Sequence, residues 1–197
     1  GCRVWHEEVA MVPVMSLWVP ILLSAVIVFV VSSIIHMVLP YHHSDVGKAP
    51  AEDEIMDALR KAGVTPGDYM IPSCTGGPRQ MKDPAFVEKM KKGPVAVLTV
   101  MPSGPPSMGA NLVQWFLYCA VVGVFAAYIA GRALAPGTSY LEVFRFAGCT
   151  AFVGYALALW QDSIWWKRKW STSLKNTFDG LVYGLLTAGV FGWLWPR

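Results

Sequence analysis

Four stretches of this chain are long, apolar and almost free of charge, and nothing else constrains its fold as strongly. They cover about 17–39, 112–134, 140–160 and 178–195. A bilayer core about 30 Å thick is crossed by roughly 20 apolar residues in a helix. Hydrocarbon leaves no water to pair with the backbone, so a crossing segment is a helix or part of a closed barrel. These runs are continuous rather than alternating, which fits helices and not barrel strands. The expected fold class is a mainly α membrane protein with four transmembrane helices and a small α/β extramembrane domain between the first and second.

Charge follows the same division. Charged residues make up only 15% of the 197 residues, against about 25% in soluble domains. They crowd into 45–92 and 162–179. The net charge of +3 is small and no basic stripe stands apart from a membrane boundary, so no nucleic-acid partner is expected. Cys2, Cys74, Cys119 and Cys149 form no C-x-x-C pair, and neither a disulfide framework nor a cysteine zinc site follows. The first apolar run is too long for a signal-peptide core and has no basic segment before it, so it reads as a retained span. Met15 opens directly onto that run, and residues 1–14 read as an N-terminal extension outside the native fold. The expected organisation is then helix 1 at 15–40, an extramembrane domain at 41–107, and a three-helix unit at 108–197.

The span ends carry the aromatic residues that settle at headgroup level, among them Trp18, Trp115, Trp160 and Trp193. The loop after the third span reads WWKRKW: Trp165, Trp166, Lys167, Arg168, Lys169 and Trp170. Aromatic and basic residues together suit an anionic lipid interface. By the excess of Lys and Arg in short cytoplasmic loops, this loop is placed on the cytoplasmic side. An even number of spans then puts the 41–107 domain on the same side and both termini outside.

Between helices in lipid, close packing replaces the hydrophobic drive, so small residues mark contacts. Span four has Gly180, Gly184, Ala188 and Gly192, each four apart; span two has Gly123, Ala127 and Gly131 at the same spacing. Span three adds Ala147, Ala151, Gly154 and Ala158. These stripes predict a tight unit of three helices, within one chain or in a homo-oligomer or larger membrane complex. Span one is bulky and β-branched, with Ser24, Ser32 and His36 at helical spacing, and is expected to pack more loosely.

In the 41–107 segment, Pro50 with Glu52, Asp53 and Glu54 starts a helix that Gly63 ends. Asp83–Pro84 starts a second helix that ends at Gly93. Asp68–Ile71 and Val95–Met101 read as strands. An α-β-α-β unit of this size is marginal alone.

The densest polar cluster is His36, Tyr41, His42, His43 and Asp45. Imidazole and carboxylate at this density are the donors of a transition-metal site, with His36, His42 and His43 as candidate ligands. Against this, His42 and His43 are adjacent and no H-x-x-x-H spacing occurs, so interfacial histidines at a helix end are the plainer reading. A second polar set is Glu142, Arg145, Asp162 and Asp179. Ionisable groups in spans are functional candidates, and Glu142 with Arg145 has ion-pair spacing on a helix. No nucleotide, hydrolase or metalloprotease motif is present, and no cofactor is expected.

The segments LWVPILLSAVIVFVVSSIIHMVLP, LVQWFLYCAVVGVFAAYIAGRALAPG and TFDGLVYGLLTAGVFGWLWP resemble uncharacterised four-span proteins of the bacterial inner membrane. The resemblance covers Met15 to Pro196. It implies a bacterial, multi-pass inner-membrane protein and brings no functional residue with it. The leading expectation is a non-enzymatic accessory or scaffold protein. The alternatives are a small transporter or channel subunit near Glu142, Arg145 and Asp179, and a metal- or haem-binding redox protein.

Overall fold

A computed structural model describes residues 11–197 and is mainly helical. The helices are α1 (Trp18–Met37), α2 (Glu52–Lys61), α3 (Gly77–Gln80), α4 (Pro84–Lys92), α5 (Met108–Ala133), α6 (Tyr140–Ala156), α7 (Trp160–Trp165) and α8 (Trp170–Trp193); the strands are β1 (Gly67–Ile71) and β2 (Ala96–Val100). The chain divides into two compact units, one of residues 47–106 and one made of the rest.

In the larger unit α1, α5, α6 and α8 form a ring in which each helix packs on the next and α8 closes back on α1. Three stretches are long and apolar enough to cross a membrane: Val14–Met37, Met108–Ala133 and Tyr140–Trp165. The last runs α6 into α7 through a 3-10 turn at Leu157–Leu159. The expected fourth span falls on α8, which at 24 residues is long enough. Lys175, Asn176 and Asp179 in its first half, with its glycines, dilute its apolar character.

The packing is inside out. On α1, Leu22, Val26, Val30 and Ile34 recur every four residues and are exposed, while Ser24, Ala25 and Ser32 are buried. An apolar stripe of this length facing outward suits a partner that is itself apolar. The buried serines are satisfied within their own helix: Ser24 Oγ donates to Ile21 O at 3.0 Å and Ser32 Oγ to Phe29 O at 2.9 Å.

The small-residue stripes are contact lines. A Cβ on Gly180 would lie 2.8 Å from that of Ala156, and one on Gly192 would lie 2.7 Å from the Tyr140 ring. Gly184 meets the backbone of Phe152 and Gly148, and Ala188 packs on Gly148. These pairs run α6 and α8 antiparallel in close contact. The stripe of α5 behaves differently from expectation. Gly123 lies against Ile21, and Gly131 against Val12, whose N–H donates to Gly131 O at 2.9 Å. Span two therefore sets Gly123 on span one and Gly131 on the segment just before it. The inward face of α1 mixes Ser24, Ala25 and Ser32 with Ile21, Val28 and Ile35, so the glycine on α5 makes room for Ile21, and a 3-10 turn at Val14–Leu17 places Leu17 in the core. Of the set-aside extension, Met11–Val14 belongs to the fold, since Val12 is buried there; residues 1–10 lie outside the described residues. On α6 the inward face is Ala147, Ala151, Tyr155 and Ala156, and Ala158 is exposed because the helix has given way to the 3-10 turn.

The core changes character along the bundle. One end holds Leu17, Ile21, Ala126, Ala130, Val143 and Phe191. Toward the other end it becomes Cys119, Tyr155 and Tyr183, with Trp115 packed against them.

In the unit of residues 47–106, Gly67–Ile71 pairs antiparallel with Ala96–Val100, Tyr69 opposite Leu98. Asp83 caps α4 by accepting from Ala85 N at 3.0 Å, and Gly63 and Gly93 take the positive φ that ends each helix. Phe86 is the one buried side chain among its residues, a thin core for an independent unit.

Gly180→Val is expected to cost roughly 1–3 kcal/mol, the usual penalty for overpacking. Gly109→Ala, where a Cβ meets nothing within 4 Å, is expected to be neutral. Denaturant unfolding in detergent, followed by circular dichroism, checks the contrast.

Candidate metal centre

The polar end of the bundle is where α1 ends and α8 begins. After α1, Leu39 is extended and Pro40 opens a 3-10 turn, Pro40–His42. This turn folds the chain back, so that the His42 ring stacks on His36 with centroids 4.4 Å apart and planes 17° apart. Tyr41 packs against His42 at 4.1 Å. From α8, Lys175 and Asp179 point at this loop one turn apart.

Asp179 is 2% exposed, and a carboxylate so far from water has to be paired. Tyr41 OH donates to its Oδ1, and His42 Nε2 lies 2.9 Å from its Oδ2. The other nitrogen of His42, Nδ1, lies 2.7 Å from Asp45 Oδ2. Lys175 Nζ donates to Asp45 Oδ1 at 2.9 Å, Ser44 Oγ at 2.9 Å and Tyr41 O at 2.5 Å. Burial raises the Asp45 carboxyl, but the hydrogen bonds from His42 and Lys175 and their charges outweigh it and hold Asp45 below its ordinary value.

One donor atom from each of His36, His42 and Asp179 lies within 4.8 Å of the others. His36 Nδ1 is 3.1 Å from Ser32 O and His42 Nδ1 is on Asp45, so in both rings Nε2 is the nitrogen left to bind. A backbone carbonyl or carboxylate on the far nitrogen is what orients ligand histidines in metal sites. A histidine binds a metal in its ring plane, so an ion shared by both rings requires His36 to tilt out of the stack. His36 is exposed and free to do so.

Of the expected ligands, His36 and His42 are brought together and His43 is not. His43 is exposed and turned away, because adjacent residues in the turn point apart. The third donor is Asp179, which the sequence placed in a separate polar set. That set is itself split. Tyr140 packs on Gly192 and Ala156 on Gly180, which leaves Glu142 and Asp179 at opposite ends of α6, roughly 20 Å apart at 1.5 Å per residue. Glu142 does not pair with Arg145: its Oε2 accepts from Ser139 N at 3.3 Å and Ser139 Oγ at 2.8 Å, capping the start of α6. Asp162 lies 3.6 Å from Arg168 Nη1 in a half-exposed pair. Trp165, Trp166 and Trp170 are exposed, as are Lys167, Arg168 and Lys169 between them.

Beside the centre lies an open cavity of about 880 Å³, whose wall includes His36, Asp179, Trp115, Tyr118, Tyr155 and Tyr183. Comparison with protein-family models, curated proteins and solved structures returned no match.

A double-mutant cycle tests the ionic half of the centre. Lys175→Met is expected to lose roughly 0.5–3 kcal/mol of coupling to Asp45, read as the difference between its cost in the wild type and in Asp45→Asn. Asp45 is lowered in the fold, so its contribution is complete above its unfolded value and is lost as pH falls through the folded value. The coupling is therefore expected at neutral pH and absent in strong acid.

Proposed function

We propose that the chain is a four-span membrane protein that binds one first-row divalent transition-metal ion through His36, His42 and Asp179. The observation that carries this reading is the placement of His42. Its Nδ1 lies 2.7 Å from Asp45 Oδ2 and its Nε2 lies 2.9 Å from Asp179 Oδ2, and His36 brings a second imidazole within 4.8 Å of that pair. Two imidazoles and a carboxylate are donors that suit zinc, iron, nickel and copper. The second shell is supplied by Ser32 O, by Asp45 held on Lys175, and by Tyr41 on Asp179. Three protein donors leave coordination positions for another ligand, the pattern of working rather than purely structural sites.

α8 completes the membrane unit as the fourth span, its polar start paired at the metal centre and its glycines packed on α6. This count places both termini on one face and the WWKRKW loop with residues 47–106 on the cytoplasmic face of a bacterial inner membrane. Fusions of alkaline phosphatase and green fluorescent protein are expected to show activity and fluorescence consistent with that arrangement; a C-terminus on the side of residues 47–106 would sink it.

An accessory role is the second reading, favoured by the compactness of residues 47–106 as a unit of their own. The two are compatible if that unit serves a partner of the metal-binding bundle.

Cobalt(II) and zinc(II) titrations of the detergent-purified protein test the metal reading. About one equivalent is expected, with visible cobalt bands that zinc removes. His36→Ala and His42→Ala are expected to abolish tight binding, Asp45→Asn to weaken it about 10–100-fold as second-shell losses do, and His43→Ala to leave it unchanged. Equal binding by folded His36→Ala and wild type would refute the assignment.

A further inference from the structure

The helical hairpin made by α7 and the start of α8 carries three consecutive cations at its tip. The two arms are pinned together. Ser163 Oγ and Ser173 Oγ lie 2.7 Å apart, the Trp160 and Trp170 rings meet edge to face at 6.4 Å, and Trp160 Nε1 donates to Thr177 Oγ1 at 2.9 Å. Lys167, Arg168 and Lys169 stand in the turn between the arms, all exposed.

Their charges are largely unanswered. Arg168 Nη1 lies 3.6 Å from Asp162 Oδ2, with both side chains about half exposed, and water screens such a pair. Lys167 Nζ donates to Ile164 O at 3.0 Å and Lys169 Nζ to Ser44 O at 3.5 Å. Both acceptors are neutral, and among the described residues neither ammonium has a carboxylate in contact. Lys175, by contrast, has Asp45. Lys167 also holds a left-handed φ of 56° at the end of α7, where glycine is the usual residue, so a cation stands where the backbone alone favours no side chain. Three indoles flank the charges: Trp165 is 73% exposed, Trp166 56% and Trp170 49%. Trp165 is the last residue of a stretch long and apolar enough to cross a membrane, so the tip lies at the end of a span. Indoles settle at headgroup level there. The cations select an anion, and the indoles at a span end select a lipid over an anion dissolved in water.

We propose that the 165–170 tip binds the headgroup of an anionic phospholipid, with the phosphate held by Lys167, Arg168 and Lys169 and the glycerol region against Trp165 and Trp166. The lipid is held at this tip rather than gathered by charge alone. α4 carries as many lysines in its last turn, Lys89, Lys91 and Lys92, but residues 47–106 contain no tryptophan to seat them at a membrane. The proposal is independent of the metal reading, because none of the tip residues is a proposed ligand.

Quenching of tryptophan fluorescence by brominated lipids, on the full chain in mixed detergent micelles, tests it. Brominated phosphatidylglycerol is expected to bind about 10–100-fold more tightly than brominated phosphatidylcholine, since each cation near an anionic surface is worth about fivefold. Lys167→Gln, Arg168→Gln and Lys169→Gln together are expected to bring the two lipids to parity, with helicity by circular dichroism unchanged. Trp165→Phe with Trp166→Phe is expected to remove most of the quenching specific to phosphatidylglycerol. Lys89→Gln, Lys91→Gln and Lys92→Gln together are expected to keep the preference, and inorganic phosphate is expected not to compete. Equal binding of both lipids by the wild type, a preference that survives in the folded tip variant, or quenching unchanged in the tryptophan variant would overturn the proposal. So would an equal loss in the α4 variant, which would mean overall charge, or competition by phosphate, which would mean a site for a free anion.

Discussion

Asp179 stands in the first half of a helix that packs against two others, almost wholly out of water, and its charge has to be answered locally. Breaking a buried pair by removing one partner costs about 3–5 kcal/mol, so whatever answers Asp179 is held firmly. Here the answer is the turn after α1. Tyr41 and His42 reach Asp179, and Lys175, one helical turn away, takes hold of Asp45 and the Tyr41 carbonyl. One carboxylate thereby fixes the exit of α1, the start of α8 and the orientation of the His42 ring. The candidate metal centre follows from that demand, because groups assembled to neutralise a buried charge are also of the types that ligate metals.

The rest of the bundle makes this possible by bringing backbones close. Gly180 is the residue after Asp179 and lies against Ala156. A side chain at that position would push α8 outward and move Asp179 away from the turn. Gly123 and Gly131 bring α5 close to Ile21 of α1 and to Val12 before it, at the aliphatic end of the core. The packing of α8 on α6 thus sets where Asp179 meets the turn after α1. The aliphatic end of the core carries no such load and is filled by Leu17, Val143 and Phe191.

Much of this was legible in the sequence, because it rests on local patterns. Run length gave the helices, Asp83–Pro84 and Gly93 gave the limits of α4, and four-residue spacing gave the glycine contacts on α8. Which helix each stripe faced was not legible: Gly123 and Gly131 carry no mark of their partner, and α1 has bulky residues on its inward and outward faces alike. The histidines were visible, but their carboxylate was not, since Asp179 is 137 residues from His42. One signal was available. An even span count puts the end of helix 1 and the start of helix 4 on one side, and Lys175 and Asp179 lie four apart on one face there. Glu142 misled for a related reason: the spacing to Arg145 is right for a pair, but Ser139 offers the helix start a cap that the carboxylate takes instead.

X-ray absorption at the zinc edge tests the central claim most directly, because it counts donors rather than inferring them. On protein loaded with one equivalent of zinc, the expected spectrum has a nitrogen and oxygen shell near 2.0–2.1 Å with the outer scattering of two imidazoles. A shell with one imidazole or none in the wild type, or one containing sulfur, would contradict the assignment of His36, His42 and Asp179.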